Sequence, residues 1–207
     1  MTCFVFAAGS YFGLPERPRP GDLIIAADAG YAHCREAGLH PDLVVGDFDS
    51  SAAPAGEAVL RLPVEKDDTD TLHALRLGLA RGCRDFVIYG GTGGARADHT
   101  LANIQCLYFL ASHGARGRLY GDGAVWRVLD RERVGFPASA RGTLSLFCLD
   151  GEARGVTLCG LKYKMEQGTL RPDFPLGVSN SFVGRPASVE VTDGRLLMMT
   201  EIQEEEL

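Results

Sequence analysis

Leu43-Val44-Val45-Gly46-Asp47-Phe48-Asp49-Ser50 carries two carboxylates, two residues apart, directly after an apolar run. The run predicts a buried strand of an open α/β sheet, and ligands of such sheets bind beyond the carboxyl ends of strands. In an extended segment the side chains of Asp47 and Asp49 would share a face and repel each other by about 4 kcal/mol at ~4 Å, with an effective dielectric constant of ~20. Because a divalent cation would relieve that repulsion, the pair is a candidate metal site; the alternative is an ordinary Asp/Ser turn that caps a helix.

The sequence on either side of this stretch alternates between predicted strands and predicted helices. Up to about residue 125, this alternation is typical of a mostly parallel sheet with flanking helices. Leu72, Leu75 and Leu79 form one apolar stripe, and Leu101, Ile104, Leu107 and Tyr108 form a second; we expect both to face the core. The predicted strands are Cys3–Ala8, Leu23–Ala27, Leu43–Gly46, Phe86–Tyr89 and Arg118–Tyr120, and the predicted helices are Tyr31–Ala37, Thr69–Ala80 and His99–Ser112.

After about Leu129 the chain changes to short β-type runs divided by Gly, Pro and Asp turns, without a convincing helix. This half predicts a smaller antiparallel β domain behind the α/β domain, with the boundary near Asp122–Val134. The runs are Thr143–Cys148, Gly155–Leu158, Ser188–Val191 and Leu196–Thr200.

The composition excludes several classes of protein. A hydrophobic fraction of 45% in 207 residues suits a packed globular chain. The formal net charge is −6 and no Lys/Arg-rich block is present, so we expect no nucleic-acid partner. Six scattered cysteines without a Cys-x-x-Cys pair, no basic leader and no run of roughly 20 apolar residues lead us to expect reduced thiols in a cytoplasmic protein without a membrane span.

A second acidic cluster, Glu65-Lys66-Asp67-Asp68-Thr69-Asp70, directly precedes the helix that carries Leu72. Lys66, a hydroxyl, further carboxylates and the backbone N–H groups of a helix start together suit a metal-bound phosphate chain. The alternative is that Asp68 or Thr69 is simply the N-cap of the helix.

A glycine-rich stretch, Gly90-Gly91-Thr92-Gly93-Gly94-Ala95-Arg96-Ala97-Asp98, links a predicted strand to a predicted helix. It is neither a P-loop nor a G-x-G-x-x-G site, but its glycines would let backbone N–H groups approach an anion. Arg96 could bind phosphate in a fork, and Asp98 could orient an attacking hydroxyl or accept its proton. The alternative is a plain strand–helix turn with Asp98 as the N-cap.

Six segments in order resemble the thiamine pyrophosphokinase family. They are Ala26–Gly30, Gly46–Ser50, Lys66–Asp70, Arg96–Asn103, Gly160–Tyr163 and Gly177–Phe182. The resemblance implies an ATP- and Mg²⁺-binding catalytic α/β domain over residues 1–125, a thiamine-binding β-sandwich over residues 130–207, and a homodimer whose active sites involve both subunits.

The resemblance also implies roles for residues of the α/β domain. Asp47, Asp49 and Asp70 would bind Mg²⁺, and Asp98, Arg96 and Asp70 would be catalytic. The residues implied on the ATP side are Asp28, Lys66, Thr69 and Arg96. One departure is Ala95, which separates the glycine pair from Arg96.

In the β domain the resemblance implies a thiamine-binding set of four residues: Tyr163, Ser179, Asn180 and Ser181. Tyr163 would stack on thiamine at a position where some relatives carry Trp. The tyrosine keeps an aromatic face there, but one of smaller area than that of Trp.

The reaction that the resemblance implies is transfer of a diphosphate group from ATP to the thiamine hydroxyl, which yields thiamine diphosphate and AMP. Two alternatives remain. One is a haloacid-dehalogenase-like phosphatase with Asp47 as the nucleophile, because an apolar strand followed by Asp-x-Asp resembles the motif of that family. The other is a non-catalytic nucleotide- or thiamine-binding protein.

Overall fold

The computed structural model describes residues 1–48, 54–63 and 67–201. The chain divides into two compact units, Met1–Gly123 and a unit that begins at Ala124. All six cysteines lie in the described part and are free thiols; five are buried and Cys159 is exposed. None of the helices in these described ranges combines the length and apolarity that a bilayer crossing requires.

The first unit contains a parallel sheet in the order β6-β5-β1-β2-β3-β4. Each of its five strand pairs is parallel. The central strand is almost fully buried, since Cys3, Phe4, Val5 and Phe6 are at most 1% exposed. The strands are β1 (Thr2–Phe6), β2 (Leu23–Ala27), β3 (Leu43–Gly46), β4 (Val59–Arg61), β5 (Asp85–Tyr89) and β6 (Arg116–Tyr120).

Three helices follow the strands, α1 (Gly30–Glu36), α2 (Asp70–Ala80) and α3 (Ala97–Ser112). All three predicted helices are therefore present, with ends shifted by at most two residues. Helix α1 lies directly on β1: a Cβ on Gly30 would be 2.0 Å from the Phe6 carbonyl oxygen.

One predicted core residue of α3 is exposed. Leu101 is 65% exposed, whereas Ile104, Leu107 and Leu110 are buried. Leu101 and Leu110 are nine residues apart, about two and a half helical turns, so they point to opposite sides of the helix. The prediction that Leu101 faces the core was therefore wrong.

The second unit is a β-sandwich of two antiparallel sheets, in the orders β12-β9-β14-β7 and β11-β10-β13-β8. Leu144, Leu146 and Met198 of the first sheet share a core with Val156, Leu158 and Val189 of the second. The strands are β7 (Ala124–Asp130), β8 (Arg133–Phe136), β9 (Thr143–Phe147), β10 (Ala153–Cys159), β11 (Met165–Leu170), β12 (Asn180–Ser181), β13 (Ala187–Glu190) and β14 (Arg195–Glu201). The predicted fold class, an α/β domain followed by a smaller antiparallel β-sandwich, is confirmed.

Candidate active site

A cavity of about 460 Å³ lies where the carboxyl ends of the parallel strands meet. Ala7 and Ala8 follow β1, and Gly90 and Gly91 follow β5. Five of the side chains predicted for the site line this cavity together: Asp28, Asp47, Thr69, Asp70 and Arg96. Two further predicted residues, Asp49 and Lys66, lie outside the described residues.

Two non-glycine residues beside the cavity have left-handed backbone conformations. Asp28, directly after β2, has φ 50°, and Phe48 has φ 54°. The Phe48 ring is buried and the Arg61 guanidinium lies 5.4 Å from its centroid. The segment after β3 is therefore not extended at Phe48. The predicted placement of Asp49 on one face with Asp47 lies outside the described residues. Non-glycine residues in this conformation cost free energy and are frequent at functional sites.

Thr69 has two structural roles, because it caps α2 and also lines the cavity. Its Oγ accepts the Leu72 backbone N–H at 3.1 Å, so the N-cap interpretation of the acidic cluster was correct for Thr69. The same geometry holds Asp70, the first residue of α2, at the cavity wall.

Asp68 is held by a residue that the sequence did not indicate. Its carboxylate, 14% exposed, forms an ion pair with Arg76 of α2, and the Arg76 guanidinium lies 5.7 Å from the ring centroid of Phe109 on α3. This pairing fixes the acidic segment between the two helices. It also engages one of the four carboxylates that line the cavity.

The glycine-rich segment contacts both Ala7, the residue that follows strand β1, and helix α3. A Cβ on Gly90, which has φ 65°, would be 2.2 Å from the Ala7 carbonyl oxygen, so only glycine fits there. Asn103 of α3 is buried and donates from Nδ2 to the Gly91 carbonyl at 2.8 Å. Asn103 ends the Arg96–Asn103 motif, and no feature of the sequence indicates this hydrogen bond.

Helix α3 begins at the cavity with an open amino end. Its N-cap is Arg96, which makes no side-chain capping bond in the described structure, so the alternative with Asp98 as N-cap was wrong. Arg96, His99 and Thr100 of this first turn line the cavity. Backbone N–H groups at such an end, together with the helix dipole, favour an anion.

Arg96 and Asp98 bind each other at the rim. Arg96 Nε lies 3.0 Å from Asp98 Oδ1 and Arg96 Nη2 lies 2.7 Å from Oδ2, with both side chains about two-thirds exposed. The hydrogen bond from Arg96 lowers the pKa of Asp98 to about 2. Asp98 is therefore ionised at neutral pH and a weak proton acceptor, and unlike Arg96 it does not line the cavity.

The four residues predicted to bind thiamine lie in the second unit. Asn180 is buried and hydrogen-bonded to the backbone of Tyr163, while the Tyr163 side chain is mostly exposed. Ser179 has φ 61° and its backbone N–H donates to Ser145 Oγ at 3.0 Å. The segments Lys162–Tyr163 and Ser179–Ser181 are thus adjacent in the fold.

The cavity combines oxygen ligands with anion-binding groups. Four carboxylates, those of Asp28, Asp47, Asp68 and Asp70, line it together with glycine backbone and the guanidinium of Arg96. Within residues 1–48, 54–63 and 67–201, no three His, Cys, Asp or Glu side chains form a ready metal-binding group. The carboxylates and anion-binding groups lie at the carboxyl ends of the parallel strands, where open α/β sheets bind their ligands. This combination is typical of enzymes that transfer phosphoryl or diphosphoryl groups from nucleotides.

Comparisons with known proteins identify the family. Residues 19–117 match the family model described as the thiamin pyrophosphokinase catalytic domain, and residues 132–196 match the model for its vitamin B1 binding domain. The thiamine pyrophosphokinase of Bacillus subtilis (strain 168) is 28% identical over 188 residues, which span 86% of each chain. The crystal structure of thiamine pyrophosphokinase from Bacillus subtilis is similar with a TM-score of 0.87 and 26% identity, covering 97% of this chain and 99% of that one. A thiamin pyrophosphokinase family protein from Enterococcus faecalis is similar with a TM-score of 0.80 and 26% identity, over 98% and 99% of the two chains.

The chain belongs to the thiamin pyrophosphokinase family. This is a family of ATP-dependent diphosphotransferases, which confirms both the resemblance and the predicted enzyme class. The phosphatase and non-catalytic alternatives are not favoured, because both matched domain models describe a pyrophosphokinase.

Proposed function

We propose that this protein transfers the terminal diphosphate of ATP to the hydroxyl of thiamine and releases thiamine diphosphate and AMP, as a step of thiamine diphosphate biosynthesis. The observation that carries the proposal is the cavity of the first unit, which joins four carboxylates to glycine backbone, the open end of α3 and Arg96. In a chain of this family, that combination fits a nucleotide polyphosphate with its counter-ion.

Mg²⁺ is the counter-ion that the donor set fits. Its preferred ligands are hard oxygen atoms, and carboxylate oxygens of Asp28, Asp47, Asp68 and Asp70 line one cavity. Among the described residues, Arg96 is the only Lys or Arg that lines this cavity. The family resemblance implies Asp47, Asp49 and Asp70 as the ligand set, and two of these, Asp47 and Asp70, line the cavity. When bound there, Mg²⁺ would neutralise charge on the phosphate oxygens.

The nucleotide phosphates would lie along the glycine-rich segment and the first turn of α3. Arg96 can exchange its bond with Asp98 for a bidentate contact with a phosphate, since both side chains are exposed and the Arg96 guanidinium already faces the cavity. Asp28 and Thr69 line the same wall, and we assign them with Lys66 to the ATP side.

In the proposed reaction the hydroxyl oxygen of thiamine forms a bond with the β-phosphorus of ATP, and the bond from that phosphorus to the bridging α–β oxygen breaks. The electron pair of that bond leaves with AMP, and the proton of the thiamine hydroxyl is released to solvent. Positioning and charge neutralisation supply most of the rate in such transfers, so Arg96 would act on the phosphates directly and Asp70 would act by helping to hold Mg²⁺. The low pKa of Asp98 favours a role in orienting the hydroxyl over a role as its base.

Thiamine would bind at the part of the second unit that Tyr163, Ser179, Asn180 and Ser181 form. Tyr163 is 58% exposed and offers its ring to a ligand. The thiazolium of thiamine is a permanent cation, for which an aromatic face is a favourable partner. We further propose a cytoplasmic homodimer, in keeping with the free thiols and the family resemblance.

The test is to incubate the purified protein with ATP, Mg²⁺ and thiamine and to follow the phosphorus species by ³¹P NMR. We expect AMP and thiamine diphosphate in equal amounts, with loss of both when Mg²⁺ is chelated. ADP with thiamine monophosphate would mean transfer of a single phosphoryl group. Phosphate release without a thiamine ester would favour a phosphatase, and binding of thiamine or ATP without turnover would favour a sensor.

A further inference from the structure

Asn180 is the most buried of the four residues assigned to thiamine. It is 4% exposed, whereas Tyr163 is 58% exposed. Asn180 Oδ1 accepts the backbone N–H groups of Tyr163 and Ser181, each at 2.9 Å, and Nδ2 donates to the Tyr163 carbonyl at 2.7 Å. The side chain therefore holds both backbone polar groups of Tyr163.

These three bonds leave the Asn180 amide little to offer a ligand. A carboxamide has two acceptor lone pairs and two N–H donors, and the network uses both lone pairs and one donor. The amide cannot be reversed, because Nδ2 would then face two N–H donors and Oδ1 would face a carbonyl. The remaining N–H belongs to a side chain with almost no accessible surface.

The backbone around Asn180 continues the same connection. The Lys162 N–H donates to the Ser181 carbonyl at 2.9 Å, and Leu161 and Phe182 form an isolated antiparallel bridge. The backbone pairing between these two segments does not continue to Tyr163. There the Asn180 side chain makes the two hydrogen bonds that the backbone of a paired strand residue would otherwise make. The exposed ring of Tyr163 therefore belongs to a residue whose backbone N–H and carbonyl are both hydrogen-bonded.

We infer that Asn180 is a positioning residue that acts on thiamine through Tyr163 and makes no direct contact with thiamine. The inference rests on the proposed function, in which Tyr163 contacts thiamine. It separates the roles within the set: Tyr163 presents a face to the ligand, and Asn180 fixes the orientation of that face.

A double-mutant cycle tests the inference through kcat/KM for thiamine, with Asn180→Ala, Tyr163→Ala and the double variant. We expect each single variant to lower kcat/KM for thiamine by roughly tenfold to a hundredfold while the KM for ATP stays near that of the wild type. In the Tyr163→Ala background, adding Asn180→Ala should change kcat/KM by less than about twofold, since the partner through which it acts is gone. Losses that multiply in the double variant would overturn the inference and assign Asn180 a direct contact.

Thr157→Ala is the matched control. Thr157 is not one of the four residues assigned to thiamine, and its Oγ also accepts a backbone N–H of the second unit, that of Gln167 at 3.2 Å. It should leave kcat/KM for thiamine unchanged; a loss equal to that of Asn180→Ala would reduce the Asn180 effect to general loosening of the sandwich. A wild-type protein that forms no thiamine diphosphate would refute the proposed function before any variant is compared.

A second measurement uses the wild-type protein and does not depend on the folding of a variant. Hydrogen exchange at the Tyr163 amide should be slow without thiamine and equally slow with it, because the Asn180 bond persists in the complex. Faster exchange on addition of thiamine would mean that Asn180 releases Tyr163 to bind the ligand, and the inference would fail.

Discussion

Replacing Asn103 with Ala should loosen the glycine-rich wall of the cavity. Asn103 is 6% exposed and its amide is the side-chain donor to the Gly91 carbonyl, at 2.8 Å. Removing the donor leaves a buried acceptor without that partner, which costs about 1–3 kcal/mol of the free energy of unfolding. Because Gly91 lines the cavity, we also expect the KM for ATP to rise on the order of tenfold.

The assay is urea denaturation followed by far-UV circular dichroism. All helices of the described structure belong to the first unit, so the helical signal reports on the unit that contains Asn103. Fluorescence would report elsewhere, since the single tryptophan, Trp126, lies in β7. Gln105→Ala is the matched control: it truncates an exposed amide on the same helix and should change the free energy of unfolding by less than about 0.5 kcal/mol. Equal losses for the two variants, with an unchanged KM for ATP, would refute the assignment.

Three further predictions concern the packing, the rim and the carboxylates of the first unit. Gly30→Ala should destabilise the protein by more than about 3 kcal/mol, because its Cβ would lie 2.0 Å from the Phe6 carbonyl oxygen, whereas Gly135→Ala, with open space around it, should have little effect; similar melting temperatures would contradict this. Arg96→Gln should raise the pKa of Asp98 from about 2 toward the ordinary value near 4, as a carboxyl ¹³C NMR titration would show, and the wild-type carboxylate's contribution to stability should be present above pH ~4 and lost as the pH falls toward 2; an unchanged pKa would mean that Arg96 is not its cause. Asp47→Asn should nearly abolish turnover and leave the fold intact, because it removes a proposed metal ligand and a like charge; turnover near the wild-type level with Mg²⁺ would contradict the metal assignment.

The parallel sheet could be predicted because its strands are uninterrupted apolar runs. The bounds predicted for β2 and β3 match the structure, and each strand is followed directly by an aspartate of the cavity, Asp28 or Asp47. Strands β7 and β11 were missed for the opposite reason, since their residues are mostly half-buried or exposed and lack an apolar run. Strand β12 is two residues long and could not be recognised from a pattern.

The site was predictable as a set of motifs and not as a set of contacts. Strand ends of a parallel sheet meet at one edge, so Asp28, Asp47 and Asp70 could be expected near one another. The pairing of Asp68 with Arg76 depends on how α2 and α3 pack, and no sequence spacing signals it. The left-handed backbone at Phe48 is equally hidden, because a phenylalanine is not a residue that signals this conformation.

The strand order has a consequence for how the first unit can be assembled. The cavity draws residues from Ala7 to Asn103, and its walls meet only when β1 has been inserted between β2 and β5. Because such distant contacts form late, a chain that has regained helices but not this central strand lacks the proposed nucleotide site. During refolding, nucleotide binding should therefore recover later than the helical circular dichroism signal. The amount of bound nucleotide would then report the fraction of molecules in which β1 is correctly paired with β2 and β5.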